Sequence, residues 1–436
     1  MPQRKARNTG KLARAIKRIA CAVLLPGFLL PVMSSALETS SMITYDRKTG
    51  SANTGAIDFS WMNDMPAGAH GRVVVNGSDF AFEDGTSARF FGVDLGFAAA
   101  VPEKSVAESY AAELAASGVN LARLHAFDCY YGANCGILDF TGYENGEVVG
   151  EFVAEALDKF DYLVYCLKQK GIYVQFEVSA GRKVSTADGF TQGECEALNT
   201  AIRGYNFLDG RVCDIVTNYA VELLNHVNPY TGMKYADDPV LAVLQYCNEA
   251  SVFWVSSDDA EGSMQRATQL RFNRWLLDKY GDRAGLLAAW TDAESVTCLE
   301  SSEDPAEGTV NGVALPEWSE PVNQWMDSQS PRHADFVSFL TGVSENAFDK
   351  FREAVRNTGY LSAINSSNYP MGPAELYLCS RGDVTERNSY WNAGESYTLP
   401  YKIYSSAVFS TIPSGDTSHI SVNMSNGASA DKPVII

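Results

Sequence analysis

The chain has 436 residues, 46% hydrophobic and 20% charged, with 35 Gly and 16 Pro. This is a globular composition, neither low-complexity nor collagen-like. The net charge is −19, and residues 1–36 hold seven basic residues but no Asp or Glu, so the remainder carries −26. A body this acidic repels phosphate backbones and anionic membranes, which argues against a nucleic-acid partner.

Residues 1–36 read as an export signal. A basic region runs to Arg18, and an apolar stretch from Ile19 to Met33 is broken by Pro26 and Pro31. The small residues Ser34, Ser35 and Ala36 then suit signal peptidase. Fifteen apolar residues are short for a membrane span of about 20, and Cys21 precedes the apolar run, against a lipoprotein. The expectation is an exported protein, periplasmic, cell-surface or extracellular, with no stable membrane association once the signal is removed. Residues 37–88 form an N-terminal extension. In it Arg72–Val75 and Asp79–Phe82 flank Asn76-Gly77, a hairpin signal.

From residue 89 to 436 strand-like and helix-like runs alternate. The strands are predicted at 88–95, 119–127, 172–178, 240–247, 360–365 and 383–391, and a seventh begins at Pro433. Helices are predicted over 104–117, around Leu157, Phe160, Val164 and Leu167, and over 212–226, 264–280, 334–357 and 401–409, with a short one reaching Trp290. The segment 295–330, rich in Ser, Glu, Asp and Pro, reads as a surface excursion. Repeated βα units without a dinucleotide-type glycine loop after the first strand point to an α/β fold, a (β/α)8 TIM barrel. It is C-terminally incomplete, with about seven strands present.

Eight cysteines follow the signal, and their spacing is not that of a zinc module. Cys129 and Cys135 bracket one loop and could staple it, whereas Cys166 and Cys247 sit in a helix and a strand as packed thiols. One or two disulfides are expected.

In such a barrel, chemistry sits at the C-terminal ends of the strands. Strand four ends in Asn248-Glu249, where a carboxylate could serve as general acid and base beside an amide that holds a sugar hydroxyl. The alternative is a Glu249 that only pairs with another strand end. Strand two places Arg123 and His125 on one face and ends at Asp128. Arg123 could hold a carboxylate ionised, and His125 is either a site residue or a structural histidine. Glu177 ends strand three as a weaker candidate. Tyr390 and Trp391 after strand six, and Trp254 after strand four, are rings placed to stack on a sugar.

These residues carry a resemblance. The run Gly118-Val-Asn-Leu-Ala-Arg-Leu-His, the strand closing in Asn248-Glu249 and the later Tyr390-Trp391 resemble clan A glycoside hydrolases, retaining (β/α)8 enzymes of the cellulase-like family five type. The segment from Phe272 to Trp290 is similar to one in clan A β-galactosidases. The likeness covers roughly residues 70–436. It implies Glu249 as acid/base, Asn248 on the sugar 2-hydroxyl, Arg123 supporting an ionised nucleophile, Tyr390 near that nucleophile and Trp391 on the substrate floor. Relatives often carry His two positions before the Tyr, where this chain has Asn388. In the family the nucleophilic Glu follows strand seven, so the resemblance places it just beyond Ile436 and implies a chain cut short there. Glu177 and Asp128 are conceivable substitutes.

The expectation is therefore an exported retaining β-glycoside hydrolase acting on a β-linked oligo- or polysaccharide, with no cofactor and no metal. A non-catalytic carbohydrate-binding barrel is the alternative. Metal-dependent hydrolysis is disfavoured because His70, His226, His333 and His419 show no ligand spacing. A serine esterase is disfavoured by the lack of a Gly-x-Ser-x-Gly elbow.

Overall fold

The computed structural model describes residues 58–130, 135–254, 263–313, 330–368, 373–388 and 432–435. The chain separates into the units Met1–Lys48 and Thr49–Ile436, and every described residue lies in the second. The predicted helix at 401–409 lies outside the described residues.

The described chain opens on a meander of β1 (Val73–Asn76), β2 (Asp79–Phe82) and β3 (Ser87–Ala88). Asn76 pairs with Asp79, so the turn centres on Gly77-Ser78 and not on Asn76-Gly77. Gly77 takes φ +63°, which a β-carbon would penalise. Phe82 stacks on Tyr173, whose centroid lies 5.4 Å away, so the hairpin sits beneath the start of a sheet strand.

That sheet contains β4 (Gly92–Gly96), β5 (Leu121–His125), β8 (Tyr173–Glu177), β11 (Leu241–Gln245) and β12 (Ala363–Asn365). They lie side by side in chain order, and every pairing is parallel. Two short antiparallel pairs decorate the connections, β6 (Leu138–Asp139) with β7 (Glu151–Phe152) and β9 (Val227–Asn228) with β10 (Met233–Lys234). All five residues of β8 and of β11 are buried, as central strands covered on both faces must be. Beyond β12, β13 (Thr385–Glu386) pairs in parallel with β14 (Val434–Ile435). Asp383 and Asn388 donate their backbone N–H groups to Ile364 and Asn368, laying β13 alongside β12. Each of the seven predicted strands has a counterpart among the described residues, most of them shorter than predicted, while residues 389–391 of the sixth lie outside those residues. Among the described residues β14 is not paired with β4, so the sheet is an incomplete (β/α)8 barrel.

The helices are α1 (Lys104–Ala116), α2 (Ala154–Gln169), α3 (Gln192–Leu208), α4 (Gly210–Asn225), α5 (Ser263–Tyr280), α6 (Arg283–Ala289), α7 (Pro331–Asn357) and α8 (Pro373–Cys379). In α2 the predicted face buries Leu157, Phe160, Val164 and Leu167. Phe160 meets Phe127 and Phe176 at centroid distances of 4.8 and 5.2 Å, fastening α2 to β8. Each such side chain contributes roughly 1.5–3 kcal/mol by leaving water. No sequence signal above marks α3. Its start is a capping box in which Thr191 and Glu194 satisfy each other's backbone N–H groups. The described part of the excursion, 295–313, is not wholly superficial: Leu299 and Val310 are buried, and Asn273 of α5 exchanges two hydrogen bonds with Val310.

Candidate active site

A cavity of about 680 Å³ runs inside the open barrel. It reaches from the β2 end of the hairpin, at Phe80, past Arg123, His125 and Gln175 to Asn248, Glu249 and Asn388. Its sides include Gly92 and Val93 of β4 and Val434 and Ile435 of β14, two strands that are not paired with each other among the described residues. The cavity brings together four of the strand-end candidates, Arg123, His125, Asn248 and Glu249, with Leu121, Arg123 and His125 of β5 alternating toward it.

Glu249 follows β11 with φ +43°, a left-handed conformation that is strained for a residue with a side chain. Asn368 holds it there, accepting the Glu249 N–H at 2.7 Å. Ser367 accepts the next N–H, from Ala250, at 3.2 Å. The side chain is one-quarter exposed. One carboxylate oxygen accepts from Asn388 Nδ2 at 2.7 Å, and the other from Arg203 Nη1 at 3.3 Å. Asn388, which replaces the histidine common in the resembled family, thus touches the candidate acid/base directly.

A network of amides joins these groups. Asn368 Nδ2 donates to Asn248 Oδ1 and to Asn388 Oδ1, both at 3.0 Å. Asn248 Oδ1 also accepts from Arg123 Nη2 at 2.9 Å. The Asn248 orientation is thereby fixed from two sides, with its Nδ2 left to donate.

Arg123 is the hinge between this upper layer and a polar layer beneath it. Its Nε and Nη2 donate to Gln245 Oε1, its Nη1 donates to Asp94, and Nε lies 3.5 Å from the Glu386 carboxylate. Glu386 is 3% exposed and accepts from Gln175 Nε2 and Asn365 Nδ2 at 2.8 and 2.6 Å. Burial raises its pKa, and Arg123, Gln175 and Asn365 oppose that shift only in part. Burial alone would lower the Arg123 pKa, but Glu386 and Asp94 outweigh it and the guanidinium stays charged.

His125 Nδ1 lies 2.9 Å from Glu177 Oε2, which also accepts the Ala126 N–H. Burial pushes the Glu177 carboxyl up, but His125, Arg123 and the Ala126 N–H prevail and its pKa is lowered. The contact with Glu177 at Nδ1 fixes the orientation of the His125 ring. Asp128, wholly buried, accepts the Ala180 N–H and has its pKa raised, first by burial and then by Glu177. Neither Glu177 nor Asp128 lines the cavity. They cannot stand in for a nucleophile there; Glu177 is the carboxylate that orients His125.

Trp254 ends a short helical turn, Val252–Trp254, after β11. Tyr390 and Trp391 lie outside the described residues. Among the described residues no group of three or more His, Cys, Asp or Glu side chains is placed to share a metal ion, and no helix is long and apolar enough to cross a membrane. Sequence reasoning missed Arg203, Asn368, Gln245 and Glu386. For Arg203 the signal was the Thr191 capping box of α3. For Glu386 it was a carboxylate two positions before Asn388 on the inward face of β13.

No protein-family model matches the chain. Mannan endo-1,4-beta-mannosidase 3 of Oryza sativa subsp. japonica is 28% identical over 192 residues, which cover 41% of this chain and 37% of the rice protein. Mannan endo-1,4-beta-mannosidase 4 of the same plant is 28% identical over 212 residues, covering 45% and 41%. The chain spans about two-fifths of the length of these curated relatives. Among solved structures, the endo-1,4-beta-mannanase from Rhizomucor miehei aligns at 13% identity and TM-score 0.34, over 70% of this chain and 84% of that one. A beta-galactosidase from Bacillus circulans sp. alkalophilus aligns at 14% and TM-score 0.39, over 71% and 41%. In strand order, in the Asn248-Glu249 strand end and in its aligned sequence, the chain resembles the clan A glycoside hydrolases.

Proposed function

We propose that the chain forms the acid/base side of an exported retaining β-glycoside hydrolase whose substrate class is a β-1,4-linked mannan. The observation that carries this reading is the placement of Glu249. It closes the fourth strand in the cavity, has a donor on each carboxylate oxygen and is preceded by an asparagine locked by Arg123 and Asn368. The names of the two rice relatives support mannan as the substrate class.

In the first step Glu249 gives a proton to the departing glycosidic oxygen while a second carboxylate bonds to the anomeric carbon. In the second step Glu249 takes a proton from the water that displaces that carboxylate. Asn388 and Arg203 each donate to one of the Glu249 oxygens. Asn248 Nδ2 offers a donor to the sugar 2-hydroxyl, and His125 lines the cavity on the strand-two side. Trp254, Tyr390 and Trp391 supply stacking and hydrogen bonding to the sugar.

The second carboxylate is proposed one position past Ile436. Glu386 pairs with Ile435 on the cavity side, so the partner of Asn388 falls two residues after Ile435 on the same face. Retention requires that carboxylate to lie about 5–5.5 Å from Glu249.

The test is the release of reducing ends from β-1,4-mannan, β-1,4-glucan and β-1,4-galactan by the protein translated in frame past Ile436. Mannan is expected to be cleaved fastest, with Glu249→Gln slower by about 10²–10⁴-fold. No release from any of the three would overturn the reading, and binding without release would favour the non-catalytic carbohydrate-binding barrel.

A further inference from the structure

We propose that Cys129 and Cys135 form an intramolecular disulfide that closes the loop after β5, beside His125. Their sulfurs lie 2.7 Å apart. That is between a disulfide bond of about 2.05 Å and the separation of sulfurs that merely pack together. The two cysteines share a small buried cluster with Ala126 and Ala180, apart from the main core.

The chain on both sides of the pair is anchored, so the sulfurs meet without any backbone rearrangement. On the Cys129 side, Tyr130 donates its N–H to Gly181 O and Asp128 accepts the Ala180 N–H. On the Cys135 side, Ile137 donates its N–H to Phe127 O. Gly136 makes that return possible, because a β-carbon there would fall 1.9 Å from Phe127 O. The other cysteines of the described residues offer no comparable partner. Cys213 and Cys298 approach oxygens, and Cys247 and Cys379 each approach a backbone carbonyl of residues 366–367.

Accessibility sets the order of the chemistry. Cys129 is fully buried and Cys135 is partly exposed. Cys135 therefore loses its proton to solvent and attacks one sulfur of a small disulfide oxidant such as glutathione disulfide. A mixed disulfide forms and one glutathione thiol leaves. Cys129 then loses its proton, attacks the Cys135 sulfur and expels the second glutathione thiol. The protein gives up two hydrogens and two electrons, and the oxidant takes them as two thiols. The product pins the segment that carries Asp128 and follows His125, so the strand-two side of the site is held by a covalent bond as well as by Glu177.

Peptide mapping tests this on the full chain. Residues 124–159 form one tryptic peptide, ending at Lys159, whose only cysteines are these two. After equilibration with an oxidising glutathione buffer, the protein is denatured and alkylated without reductant. The expected peptide is two hydrogens lighter than the dithiol form and unalkylated. Recovery with both cysteines alkylated, or with either joined to another cysteine, would overturn the proposal. A second readout separates the pair from the remaining thiols. Reductant should lower the Tm of the oxidised protein by about 5 °C, the modest effect of a short ring. It should leave the Tm of Cys129→Ala/Cys135→Ala unchanged, and an equal drop in that variant would also contradict the staple.

Discussion

Two buried carboxylates, Glu177 at the end of β8 and Glu386 in β13, have pKa values displaced in opposite directions, and their neighbours explain why. Glu177 has a histidine, an arginine and a backbone N–H turned toward it, and these overcome burial. Glu386 has two neutral amides and an arginine at 3.5 Å, which do not. The consequences for stability have opposite signs. The folded-state pKa of Glu177 is below its ordinary 4.5, so its contribution is complete above that pH and is lost as pH falls through the folded value. The folded-state pKa of Glu386 is above 4.5, so its contribution is largest below that pH and declines as pH rises through the folded value. Denaturant unfolding of Glu177→Gln and Glu386→Gln between about pH 2 and 8 checks both. The advantage of wild type over Glu177→Gln should grow with pH, and its advantage over Glu386→Gln should shrink. Parallel slopes would mean that the two environments have been misassigned.

At the scale of elements, α3 does more than cover the sheet, because it delivers Arg203 to Glu249. Its first turn depends on Thr191, whose hydroxyl accepts the Glu194 N–H while Glu194 accepts the Thr191 N–H. Glu194 is also tied to Arg211 of α4 at 2.9 Å. Thr191→Ala should cost about 1 kcal/mol, read as a lower denaturation midpoint with an unchanged slope. No change in midpoint would show that tertiary packing alone holds the helix start. This helix also marks where sequence reading stopped short. β8, β11 and α2 were legible because burial imposes apolar runs and a period near 3.6 on them. The Thr-x-x-Glu cap of α3 precedes a stretch whose apolar positions are diluted by Gly193, Asn199, Thr200 and Gly204. Hairpin register was likewise beyond the pattern. Asn-Gly marks a turn, but the pairing of Asn76 with Asp79 moved its centre by one residue.

At the scale of the molecule, parallel strands in chain order and a cavity bordered by β4 and β14 account for where the site lies. Asn248, Glu249, Arg123 and His125 were legible because strand alternation and the strand-end rule depend only on period and order. Asn368 and Glu386 were not, since their roles arise from partners 120 and 211 residues away in sequence. One consequence of the architecture is that the polar ring of Arg123, Gln175, Gln245, Asn365 and Glu386 occupies a barrel layer that branched apolar side chains ordinarily fill. Its hydrogen bonds reach Asn248 and, through Asn368 and Asn388, the Glu249 carboxylate. The most direct measurement is turnover of an aryl β-mannoside with a good leaving group by Glu249→Ala, made in the protein translated past Ile436, with and without azide. Such a substrate leaves without a proton, so the variant should stall at the glycosyl-enzyme. Azide attacks without a general base, so it should restore turnover and yield a β-mannosyl azide. A variant that azide does not rescue, or one as fast as wild type without azide, would contradict the assignment of Glu249 as acid and base.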